Sequence, residues 1–146
     1  MTKGDTAREL FFEGYNCAQS VLCTYATEIG IDFETAARIA APFGGGMGRM
    51  REVCGAFSGM IMAVGMKYGY SDPNEFDKKT ELYQTVQELA DRFREKNGSI
   101  ICRELLGIAS DAALSPIPER RTDGYYRKRP CPEIVKSAAE LLEEYI

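Results

Sequence analysis

The sequence of 146 residues is 45% hydrophobic and carries 22 acidic against 18 basic side chains, five cysteines and no histidine. A formal charge of −4 argues against general binding to nucleic acid or to an anionic membrane, since either partner selects a basic surface. Without histidine there is no imidazole base, no mixed Cys–His zinc site and no Ser-His-Asp or Cys-His nucleophile.

The length suits one domain over residues 1–146 with a sizeable core. The charged start, MTKGDTAREL, lacks the apolar stretch of a secretory signal, which points to the cytoplasm. The uncharged stretch over residues 54–66 has 13 residues and falls short of the roughly 20 needed to cross a bilayer, so it predicts a buried helix.

Helical spacing of apolar residues runs nearly throughout, with no alternating strand and no repeat, and predicts an all-α, compact single-domain bundle of about six to seven helices. Asp5 or a neighbour can cap a first helix reaching about Tyr15, and Asn16 a second ending at Ile29 before Gly30. Ala18, Val21, Leu22, Tyr25 and Ile29 give that second helix one apolar face. A short third helix from about Phe33 ends before PFGGGMG, a flexible turn placing Arg49 and Arg51 near the thiol site. That fourth helix runs to about Lys67. A long fifth starts near SDPNEF, with Ser71 or Asp72 as cap and Pro73 in its first turn, buries Leu82, Val86, Leu89 and Phe93, and stops at Asn97 and Gly98. A short helix spans 99–106, residues 107–130 read mostly as loop, and a last helix opens at PCPEIV.

On this map Cys17, Cys54, Cys102 and Cys131 each fall in the first turn of a helix, where unpaired amides favour a thiolate. Arg51, Arg103 and the run Arg127, Lys128, Arg129 lie next to three of them, so lowered thiol pKa values are expected. Cys54 is the expected nucleophile. Cys23, six residues from Cys17, faces elsewhere and reads as a small core residue. Gly55, Ala56 and Gly59 leave room for a neighbouring helix or a cofactor, and two glycines in the opening turns of a helix indicate tight packing or a site.

Cys54-Gly55-Ala56, two residues, then Gly59, flanked by Cys17, Cys102 and Cys131, resembles the redox-active family labelled C_GCAxxG_C_C for its cysteine pattern. The resemblance covers residues 17–131 and implies a redox role for these four cysteines, leaving Cys23 outside the pattern. Two chemistries follow. One is thiol–disulfide exchange with a redox partner protein or a small thiol or disulfide, in which one thiolate attacks and a second resolves. The other is a metal centre with Cys17, Cys54, Cys102 and Cys131 as ligands, either an iron-sulfur cluster for electron transfer or a structural zinc in an interaction module without turnover. In that module residues 107–130 would form the docking surface.

Weaker signals are of four kinds. FGGGMGRM lacks the Lys-Ser/Thr ending of a phosphate loop, and GAFSG lacks nucleophile-elbow spacing at Ser58. Met47, Met50, Met60, Met62 and Met66 could join thiolates in holding Cu(I), although methionine more often fills core gaps. RRTDGYYRKRP could dock an acidic partner or an anionic substrate, or only tune Cys131. The glycine-bearing helix could also pack across a homodimer interface.

Overall fold

The computed structural model describes residues 1–146 as nine α-helices without a sheet. Helix α1, Lys3–Phe12, starts in a reciprocal capping box: Thr2 Oγ1 accepts from Asp5 N at 3.0 Å and the Asp5 carboxylate accepts from Thr2 N at 3.3 Å. Thr2 is therefore the cap, and Asp5 its partner inside the first turn. Helix α2, Cys17–Thr24, repeats the device with Asn16 and Gln19. Its expected continuation breaks at Tyr25 (φ −104°, ψ 7°), whose buried phenol donates to Ala139 O at 2.6 Å, and resumes as the single turn α3, Ala26–Ile29. Gly30, at φ 78°, makes the left-handed stop.

Asp32 caps α4, Phe33–Ala40, which tightens into a 3-10 turn over Ala41–Phe43. Helix α5, Gly55–Tyr68, has Cys54 at its N-cap. Helix α6, Phe76–Asn97, begins later than expected because Asp72 is used in a turn, accepting from Asn74 N at 2.9 Å, and Pro73 lies in that turn. Gly98, at φ 99°, ends it. Helix α7 is Cys102–Leu106, and α9 is Cys131–Leu142 with Pro132 in its first turn. The segment read as loop holds one more helix, α8, Asp123–Lys128, capped by Thr122. The break at Tyr25 and this α8 account for the difference between the expected six to seven helices and nine.

Helix α2 is central: it packs on α1, α4, α5 and α9, while α6 covers α5 and α9. One cluster of 25 buried residues joins these elements, with Phe11, Leu22, Tyr25, Met60, Leu89 and Phe93 among its largest members. The expected stripe of α6 is buried at Leu89 and Phe93 and half-buried at Leu82 and Val86. Cys23 lies in the core at 6% exposure, as its position within α2 predicts. No helix is long and apolar enough to cross a membrane.

Candidate functional site

Helices α2, α5, α7 and α9 begin at Cys17, Cys54, Cys102 and Cys131, in each case at the first residue or the N-cap. All four thiols line one open cavity of about 420 Å³, with Phe11, Leu105, Leu106 and Ile134 as apolar wall. Residues more than a hundred positions apart in sequence thus meet at one end of the helix assembly.

Two backbone devices bring them there. The first is the glycine turn: Gly45, Gly46, Met47, Gly48 and Arg49 in succession, then Arg51, have φ between 55° and 70°. Left-handed backbone costs about 1–2 kcal/mol at each non-glycine position, and here it is held by long-reach hydrogen bonds such as Gly48 N to Pro42 O at 2.8 Å and Glu52 N to Gly46 O at 2.9 Å. The turn expected to be flexible is a tightly bonded left-handed coil. Gly46 is needed twice over, because a Cβ there would also meet Cys102 Cβ at 2.6 Å.

The second device is a two-segment ladder. Val53 pairs antiparallel with Ile101, Cys54 N donates to Ile100 O at 2.7 Å, and Cys102 N donates to Glu52 O at 2.6 Å. Cys54 and Cys102 are thereby fixed as neighbours on adjacent segments.

Helix starts alone do not make thiolates of the four. Burial pushes Cys54 up to about 12, outweighing the amides of Ala56 and Phe57 that favour its anion. Burial likewise raises Cys102, although Arg51 Nη1 sits 3.7 Å from its sulfur. Cys23 is raised to about 11 by burial. Cys17 and Cys131 act on each other in opposite directions: Cys131 and burial raise the pKa of Cys17 well above its ordinary value, while Cys17 lowers that of Cys131. Donation from Cys17 lowers Cys131 most; Arg129 and Arg121 also lower it, against the opposing effect of burial. The expected general lowering holds for one thiol of the four, Cys131.

Arg121 belongs to the basic segment RRTDGYYRKRP read from sequence as tuning Cys131. It is 10 positions upstream of Cys131 in the supposed loop, yet its guanidinium donates to Phe11 O at 2.8 Å and Tyr15 O at 3.0 Å and lies over the Phe11 ring at 4.2 Å. Arg103, expected to serve Cys102, instead donates to Ala109 O at 2.8 Å. Glu119 escaped notice; it pairs with both Arg49 and Arg129 at the cavity.

All three small residues are buried, and of them only Gly55 lines the cavity. Cβ atoms at Gly55 and Gly59 would meet Ala18 N at 3.0 Å and Ala18 O at 2.8 Å, so both glycines face the α2 backbone. None of the five methionines lines the cavity. No three cysteine, aspartate or glutamate side chains stand close enough to hold a metal ion together.

The raised thiols make stability sensitive to alkali. For Cys54 the unfolded chain loses its proton near pH 8.5 and the folded chain only near 12, so unfolding releases a proton between these values. The contribution is intact below about pH 8.5 and declines by up to about 1.4 kcal/mol per pH unit above it. Urea midpoints of reduced protein measured from about pH 8.5 to 10 should fall, and Cys54→Ala should fall less steeply; parallel slopes would refute the assignment.

The family described as "Putative redox-active protein (C_GCAxxG_C_C)" matches residues 15–145, nearly the whole chain. No curated protein and no solved structure matches it.

Proposed function

The chain belongs to the C_GCAxxG_C_C family, and from that premise we propose that it acts as a one-domain cytoplasmic oxidoreductase that exchanges disulfides through Cys131 and Cys17. The observation carrying this reading is the asymmetric thiol pair at the heads of α2 and α9, one partner ionised more readily and the other holding a proton, on a cavity open to solvent.

The chemistry balances with a disulfide R–S–S–R as oxidant. The Cys131 thiolate attacks one sulfur, forming a mixed disulfide and releasing RS⁻. Cys17 then passes its proton to a leaving thiolate while its sulfur attacks Cys131, expelling the second R–S group. Two electrons move to the substrate, giving RSH and RS⁻, and a Cys17–Cys131 disulfide is left. A small thiol or dithiol returns the pair to its reduced form.

Cys54 and Cys102 line the same cavity with raised pKa values. They support the electrostatic setting, because negative charge on Cys131 disfavours ionisation of either. The alternative of a four-thiolate iron-sulfur or zinc centre requires the sulfurs to draw together, since no three such ligands are grouped.

Two measurements on protein purified without oxygen decide between them. After treatment with hydroxyethyl disulfide, peptide mapping should find one Cys17–Cys131 bond and free Cys23, Cys54 and Cys102. A Cys54–Cys102 bond, or no bond, would overturn the pair. Iron with sulfide, or zinc, near one centre per chain would replace the exchange reading with the metal one.

A further inference from the structure

The cavity has a charge that the exchange chemistry does not explain. Four guanidinium groups, Arg49, Arg51, Arg121 and Arg129, line it against one carboxylate, Glu119, an excess of three positive charges within a chain whose net charge is −4. Arg51 is the telling one. It is only 8% exposed, pairs with no carboxylate, and has Cys102 Sγ at 3.7 Å as its sole side-chain partner. None of its nitrogens is sealed off without a partner, so the remaining N–H groups are left to the cavity. A guanidinium this buried is expensive to keep unpaired, and its strained left-handed backbone, φ 62°, adds to the cost.

Arg121 is likewise without a carboxylate, held by two carbonyls and an aromatic face. Arg49 and Arg129 show what the remaining sites accept: Glu119 Oε1 lies 3.6 Å from Arg49 Nη2 and also contacts Arg129. This carboxylate belongs to the segment between α7 and α8 and is half exposed, so a carboxylate from outside can compete with it. Once Cys131 is a thiolate, an excess of two charges is left.

We propose that the cavity is a dianion site, with Arg51 as its buried anchor, and that the disulfide it serves is a small molecule carrying two carboxylates. This rests on the exchange reading for the reaction and on the arginines for the substrate class. The volume of about 420 Å³ falls within the range of small-molecule sites.

The two parts can be tested apart. Thiodiglycolate is a dicarboxylate thioether that cannot exchange, and thiodiethanol is its neutral counterpart. Calorimetric titration of the reduced protein should show thiodiglycolate binding and thiodiethanol not, and thiodiglycolate should slow alkylation of Cys131 by iodoacetamide. Arg51→Met should weaken binding by about ten-fold or more. Glu119→Gln, which removes the competing carboxylate, should tighten it, and this keeps the test open if the Arg51 variant does not fold.

Equal binding of the two thioethers, binding of neither, or indifference to both substitutions would overturn the dianion site. In the reaction, dithiodiglycolate should be reduced faster than hydroxyethyl disulfide, and cystamine, with two ammonium groups, slowest. Reduction of hydroxyethyl disulfide without thiodiglycolate binding would sink this inference alone. Thiodiglycolate binding with no disulfide reduced would leave an anion site and overturn the substrate class together with the exchange reading.

Discussion

Serine in place of Cys131 is expected to lower the rate of disulfide reduction by at least ~100-fold, because no other thiol of the cavity can supply a comparable thiolate at neutral pH. The numbers for Cys54 make the point. Held at about 12, it is ionised to roughly 1 part in 10⁵ at pH 7, against about 1 in 100 for a thiol at 9. Its stronger intrinsic nucleophilicity recovers only about 20- to 30-fold of that thousand-fold deficit. Cys54→Ala should therefore keep most of the activity, while Cys17→Ala should stop at the mixed disulfide with substrate on Cys131, visible by intact mass. Arg121→Gln should move the pH midpoint of Cys131 alkylation upward, since a guanidinium that favours the anion is gone. Full activity in the Cys131→Ser protein would remove the assignment of nucleophile.

The fold class was legible because helix signals are local. Asn16, Gly30 and Gly98 do what their side chains or lack of one predict, and the apolar face named for the second helix is buried at every position. What was missed depends on distant contacts. Tyr25 is a reasonable helix residue by propensity, and the break there goes with a phenol held by a carbonyl of α9, 114 positions away. Helix α8 is a six-residue piece with weak periodicity, though Thr122 before Asp123 was a usable cap signal.

The site divides the same way. Four cysteines at four helix starts could be read from caps and spacing, and all four reach one cavity. Their ionisation could not, because it is set by burial and by which thiol meets which. A neighbour in sequence proved an uneven guide to a neighbour in space: Arg129, two residues before Cys131, lowers its pKa, whereas Arg51, three residues before Cys54, serves Cys102, and Arg103, adjacent to Cys102, donates to Ala109 O instead. The buried charge of Arg51 depends on the left-handed turn, which the glycine run announced without specifying its course.

Gly59→Val should destabilise the protein by about 3 kcal/mol or more, because it adds a branched side chain where α2 and α5 touch by backbone. A Cβ at Gly59 would lie 2.8 Å from Ala18 O and 3.0 Å from Val21 Cβ, so the backbone of α2 would have to withdraw. Alanine separates this packing from helix propensity. Within the same helix, Gly65 has nothing within 4 Å of its virtual Cβ, and Gly65→Ala should gain about 0.5–1 kcal/mol from the helix preference alone. Gly59→Ala receives the same gain and loses more to the clash, for a net loss of about 1–2 kcal/mol. The opposite signs of two identical substitutions ten ångström or less apart along one helix axis, about 1.5 Å per residue, are what denaturant titration should resolve. Matching signs would mean that α2 and α5 are not in backbone contact. The consequence reaches the chemistry, because Gly55 on the same face would meet Cys17 Cβ at 3.2 Å. Pushing α2 off α5 therefore moves the resolving thiol, and the Gly59→Ala protein should form the Cys17–Cys131 bond more slowly even where it remains folded.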